Sequence, residues 1–196
     1  NELIKNNWKR INREFRYSDS NRDTFEAILS RKGEVGGSLR NMHSSGVLGR
    51  YLPEFGALTN LVQHEFFHTY SADEHTLRVT EELDKLAVGE DRKNRLYRTL
   101  YNEIEDPFVL YLSVLLHDAG RASNSSNHED ASATLAQSVA RRFSLKTKRR
   151  KLLLFLVNSH LELWRTANTK NIDDPNTIIK FAKMVGSIRG LNYLML

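Results

Sequence analysis

The chain has 196 residues, 40% of them hydrophobic, and a formal net charge of +5 at neutral pH, which is enough apolar material for one main domain with a substantial core. It contains no cysteine, so disulfides and thiolate metal ligands are excluded and any metal site must be built from His and carboxylates. The longest apolar run, Phe108 to Leu116, is far short of the ~20 residues a membrane span needs; with no signal-peptide pattern either, the chain reads as a soluble, cytoplasmic protein.

Apolar residues recur at helical spacing from the start, first at Ile4, Trp8, Ile11 and Phe15, and no alternating strand pattern competes with them, so the fold class is all-α. Residues 1–45 read as two or three amphipathic helices, broken by polar Ser18 to Asn21 and by Gly33, Gly36 and Gly37, and form a helical linker ahead of a main body at 46–196. His43, just before a glycine turn, reads as structural. His64 and His68 are four residues apart and share a face if that stretch is helical, where they would line the pocket as substrate-side groups or as supports for the ligands.

Ser71-Ala72-Asp73-Glu74 has the form of a capping box, in which the Ser and Glu side chains satisfy each other's free backbone amides. It places His75 in the first turn of a helix running to about Leu86, with His75, Val79, Leu83 and Leu86 on one inward face. The apolar segment Phe108 to Leu116 must be a buried helix, and it ends on His117-Asp118. After the polar patch Ser123 to Asn127, His128 opens a segment whose Ala131, Leu135, Val139 and Phe143 form another face. Arg141, Arg142, Lys146, Lys148, Arg149, Arg150 and Lys151 crowd the next stretch. No aromatic residues interleave them as a single-strand binder needs, so they read as a solvated helix end and no nucleic-acid partner is expected. His160 follows the apolar run Leu152 to Val157, and Asp174-Pro175 marks a last strong helix start. The chain stops within the apolar run Leu191 to Leu196, which reads as a helix cut short and hence as a fragment.

Burying His117 and Asp118 at the edge of a core is costly unless something satisfies them, and a divalent cation does so with imidazole nitrogen and carboxylate oxygen as ligands. His75, His128 and His160 likewise sit at the ends or inner faces of separate helices. The ordered set His75, His117-Asp118, His128, His160 resembles the HD superfamily, in which such residues converge from different helices on one or two metal ions.

A closer resemblance runs from about residue 39 to 196. Val47 to Gly56 (VLGRYLPEFG), Gln63 to His68 (QHEFFH), Asp73 to Leu77 (DEHTL), Leu115 to Arg121 (LLHDAGR), Ile172 to Pro175 (IDDP) and Phe181 to Gly186 (FAKMVG) are similar to the HD domain of bacterial PII uridylyltransferase/uridylyl-removing enzymes. The resemblance implies a helical HD-domain bundle, a nucleotidyltransferase domain upstream and ligand-sensing domains downstream. It also implies hydrolysis of uridylyl groups from a tyrosine of a PII-like signalling protein, with the HD domain truncated here at its C-terminal end. The sequence departs from that family in places. Ser159-His160 stands for a His-His pair, Arg121 for a Lys, and Ala122 to Asn127 for a Gly-rich basic loop. The late Asp that the resemblance implies is expected on a helix after Leu196.

These readings assign the metal to His75, His117, Asp118, His128 and His160, with Asp118 and Arg121 as catalytic residues. Mn, Mg, Fe and Zn are all compatible with this donor set. Two alternatives stand beside uridylyl removal: a non-catalytic nucleotide- or metal-binding sensor, which Ser159 and the altered loop favour, and a small-molecule nucleotide phosphohydrolase.

Overall fold

The computed structural model describes residues 2–62, 70–89, 94–123 and 127–196. Among them there is no strand, and none of the helices is long and apolar enough to cross a membrane. The chain forms α1 (Glu2–Asn6), a 3-10 turn at Trp8–Arg10, α2 (Arg13–Tyr17), α3 (Asp19–Leu29), α4 (Val35–Ser44), α5 (Val47–Tyr51) and α6 (Pro53–Gly56). There follow α7 (Ala72–Val88), α8 (Arg95–Glu103) and α9 (Pro107–Leu116), then a 3-10 turn at Ala119–Ala122 and α10 (His128–Arg142). The order ends with α11 (Thr147–Ser159), α12 (Glu162–Thr169), α13 (Pro175–Val185) and α14 (Ile188–Leu194).

The centre of this arrangement is α9. Pro107 starts it, where a missing N–H costs nothing, and every residue from Phe108 to Leu116 except Val114 is buried. A helix apolar on all sides must be enclosed, and α9 packs against α3, α6, α7, α10 and α11. The first helices belong to the same core: Phe25 and Leu29 of α3 and Val35 and Leu39 of α4 are buried in it. Phe25 meets Tyr51 with ring centroids 4.9 Å apart and Phe143 at 5.9 Å, and Phe143 in turn meets Phe108 at 6.3 Å. Truncating a fully buried Phe such as Phe108 to Ala would cost about 3–5 kcal/mol.

Ion pairs tie the outer helices to this frame. Arg40 of α4 bridges to Glu74 and Glu81 of α7, Arg142 of α10 reaches Glu54 of α6 at 2.8 Å, and Arg149 of α11 joins Asp106 and Glu26. Two members of the basic cluster are thus structural. The expected capping box does not form. Ser71 occupies the cap position of α7 without a side-chain hydrogen bond, and the Glu74 side chain turns to Arg40 and Arg78. At α13 the expectation holds: the Asp174 side chain accepts from the Asn176 N–H, with Pro175 at the first helical position.

Candidate metal centre

The site is built where α9 stops. His117 closes the helix, and the 3-10 turn that follows presses against the start of α10. Gly120 permits that approach. A Cβ there would lie 2.2 Å from the His128 carbonyl oxygen and 2.5 Å from the Ser132 nitrogen. The Gly120 N–H donates to Ser132 Oγ at 2.9 Å, fixing the turn to α10. The cap of α10 comes from Asn127, whose side chain accepts from the N–H groups of Glu129 and Asp130.

Three residues from two helices converge here. His75, near the start of α7, and His117-Asp118, at the end of α9, place one ligand atom each within 4.8 Å of one another. The His75 and His117 rings have centroids 5.7 Å apart, and His117 Nε2 lies 3.4 Å from Asp118 Oδ2. His160, at the end of α11, adjoins this group, its ring centroid 5.1 Å from that of His117 and its Nε2 3.9 Å from Asp118 Oδ1. His117 and His160 share a device. Each is the residue that caps the C-terminus of its helix, and each directs Nδ1 at the carbonyl three residues back, Val114 at 2.7 Å and Val157 at 2.9 Å. A carbonyl only accepts, so Nδ1 carries a proton in both rings, and Nε2 is the nitrogen that offers a lone pair to the cluster when the ring is neutral.

The electrostatics follow from burial and neighbours. Burial pushes the Asp118 carboxyl up, but the adjacent His117 and the Arg121 guanidinium outweigh it and hold Asp118 ionised well below the usual carboxylate range. Burial pushes His117 toward its neutral form, and the Asp118 carboxylate overcomes this and raises its pKa. His160 is lowered, by burial first and then by the charge on His117. Arg121 Nε lies 2.7 Å from Asp118 Oδ1, and its side chain is 12% exposed, so a fixed positive charge adjoins the ligand cluster.

The predicted residues therefore fall into groups. His75, His117 and Asp118 come together; His160 and Arg121 touch Asp118. His128 enters chiefly through its backbone, and its ring nitrogen Nε2 is buried without a hydrogen-bond partner among the described residues. His64 and His68 lie outside the described residues. His43 is structural as read, with Nε2 3.1 Å from Asp73 Oδ2 and its ring edge on Phe55. The expected inward face of α7 is turned somewhat: Thr76, Leu77, Thr80 and Asp84 are buried, while His75, Val79 and Leu86 border a cavity instead.

Sequence reasoning missed Glu129 and Arg165. These two are ion-paired beside His128 and His160, whose charges help to hold the Glu129 carboxyl below the usual range after Arg165 itself. The signal available was only the position of Glu129 next to His128.

Two imidazoles and an ionised carboxylate gathered at this spacing, in a chain without cysteine, suit a divalent cation with nitrogen and oxygen ligands. Residues 72–184, which span all of these ligands, match the HD domain family. The chain belongs to the HD domain family.

Ahead of the HD domain match, residues 2–51 match the family described as the uridylyltransferase GlnD third domain. The chain is similar to proteins named bifunctional uridylyltransferase/uridylyl-removing enzyme. It is 37% identical over 173 residues to that of Methylococcus capsulatus, covering 88% of this chain and 20% of the relative. To that of Ectopseudomonas mendocina it is 35% identical over 193 residues, 98% of this chain and 21% of the relative. For Thiobacillus denitrificans the identity is 35% over 188 residues, 95% and 22%. The chain thus spans about a fifth of the length of these relatives.

Proposed function

We propose that this HD domain is a metal-dependent phosphodiester hydrolase that removes uridylyl groups from a tyrosine of a PII-like signalling protein. The observation that carries the chemistry is the convergence of His75, His117 and Asp118 from α7 and α9 within 4.8 Å. The substrate is supported by the relatives named uridylyl-removing enzyme, which match over nearly the whole of this chain.

A divalent ion held by these ligands supplies an acidified water and a Lewis acid for the phosphoryl oxygens. The rest is the work of side chains. The carbonyls of Val114 and Val157 fix the tautomers of His117 and His160, so both present Nε2 without reorganisation. Asp118 stays ionised at any physiological pH and would hold the ion together with His75 and His117, while His128 and His160 would hold a second one. Arg121, beside Asp118, offers positive charge to the phosphoryl oxygens as negative charge builds on them. Manganese, magnesium, iron and zinc all suit the donor set. Residues 1–45 serve as the connection from an upstream nucleotidyltransferase domain.

The test is hydrolysis of uridylylated PII-like protein, with free nucleotides in parallel and with each metal added to chelator-treated protein. Metal-dependent release of UMP from the protein substrate supports the reading. Turnover of nucleotides alone would make it a small-molecule phosphohydrolase, and metal binding with no turnover of either would make it a sensor.

A further inference from the structure

Beside the metal ligands lies a cavity of about 680 Å³ between α7 and α8, and His75 belongs to both. Its α7 wall runs from His75 through Val79 and Leu83 to Leu86, about 16 Å at ~1.5 Å per residue. That is long enough for a phosphate, a ribose and a base in sequence. The wall is aliphatic at Val79, Leu83 and Leu86 and also carries Arg78, Glu82 and Lys85, and Met195 and Leu196 line the cavity as well. The α8 side carries Tyr97, 42% exposed, and Arg98. Arg98 has no acidic partner among the described residues, and its Nε is buried without a hydrogen bond. A part-buried guanidinium is costly to leave in that state, so it is a standing donor for acceptor atoms entering the cavity.

A second cavity, of about 290 Å³, touches His117 and His160 and shares Val79 with the first, but its other walls are mostly aliphatic, among them Leu110, Val114 and Leu156. The larger cavity has exposed aromatic rings at Tyr70 and Tyr97 and, in Arg98, an arginine with no acidic partner among the described residues, which suits a planar, carbonyl-bearing group with a phosphate at one end.

We propose that the cavity between α7 and α8 is the nucleoside subsite: the phosphate lies at the His75 end, and the pyrimidine sits against Tyr97 with its carbonyls accepting from Arg98. This rests on the phosphodiesterase reading of the metal centre and adds where the nucleoside half of the ester lies. No other function is assigned above to Tyr97 or Arg98.

Calorimetric titration of the metal-loaded chain with uridine 5′-monophosphate and with ribose 5-phosphate tests it without turnover. The nucleotide should bind at least about 10-fold more tightly, as expected for stacking plus a charged hydrogen bond. Arg98→Gln and, separately, Tyr97→Ala should each remove most of that preference. Tyr97 is exposed enough that its truncation keeps the test open should Arg98→Gln fail to fold. Equal affinities for the two ligands, or a preference unchanged in the folded variants, overturns the subsite. Failure of the hydrolase reading appears separately, as absence of turnover on every phosphodiester while the binding preference for the nucleotide persists.

Discussion

Gly120 and His128 meet backbone against backbone, so that any side chain at position 120 would run into the His128 carbonyl oxygen. The contact clamps the turn carrying His117-Asp118 to the first residue of α10. Gly120→Ala must therefore push the turn off α10 and move Asp118 relative to His75. The expected cost is at least about 2 kcal/mol, toward the upper part of the range for overpacking, since a carbonyl and an amide rather than a flexible side chain stand in the way. Chemical denaturation would measure it. A variant as stable as the parent, with unchanged metal affinity, would refute the clamp.

The geometry ranks the ligands. His117→Ala removes the residue central to the cluster, next to His75, Asp118 and His160 at once, and should abolish metal binding while the buried α9 keeps the helical signal. His75→Ala should weaken binding strongly. His128→Ala should leave the first ion in place, because its ring is not in the three-residue group. Metal content by elemental analysis and helicity by circular dichroism, run on the three variants together, decide the ranking. Equal loss in all three would mean a single ion shared by every histidine.

Asp118 and Arg121 separate in hydrolysis. Asp118→Asn should lower metal-dependent turnover by about 10²-fold or more, since a ligand and its charge are both lost. Arg121→Gln should leave the metal bound and slow turnover less, with Arg121→Lys intermediate because a point charge replaces the planar fork. Steady-state rates at saturating metal are the measurement. Metal loss in Arg121→Gln would show instead that the arginine acts by holding Asp118.

The helical class and the gathering of His75, His117 and Asp118 were legible because each rests on a local signal: the all-apolar α9, the helical spacing of α10, and His or Asp at a helix end. Position 159 was also legible as a departure, a buried Ser beside His160. Other features depend on contacts between distant segments. Nothing near Glu74 announces that Arg40, 34 residues earlier, will take it from its cap. The expected linker helices contribute Phe25, Leu29, Val35 and Leu39 to the common core, a partnership that periodicity cannot name. The expected face of α7 holds at Leu83, which is buried, and at Leu86, which packs on the core, but the buried face extends to Thr80 and Asp84, which count as polar in a pattern and are buried with their hydrogen bonds satisfied inside.

Asp84 offers the last prediction, away from the metal centre. Its carboxylate is buried between α4 and α9, accepting from the Gly36 N–H at 2.6 Å and from the Tyr111 hydroxyl, which in turn accepts from Tyr101 at 2.5 Å. Burial pushes the Asp84 pKa up, and the donors around it offset this only partly. In the unfolded chain the group titrates near ~3.9. Between that value and the higher folded one, the native state holds a proton that the unfolded state has lost. The contribution of Asp84 to stability is therefore fully present below the unfolded pKa and is lost as pH rises through the folded pKa. Asn at this position mimics the neutral carboxyl at every pH, so the stability of Asp84→Asn relative to the parent should climb with pH across that window and then level off. Asp84→Ala, which orphans the Gly36 N–H and the Tyr111 hydroxyl, should be about 1–3 kcal/mol less stable than Asp84→Asn throughout. Urea unfolding of the three proteins from pH 4 to 7 gives both comparisons. A difference between Asn and Asp that stays flat or falls with pH would mean that the donors, not burial, set the charge of Asp84.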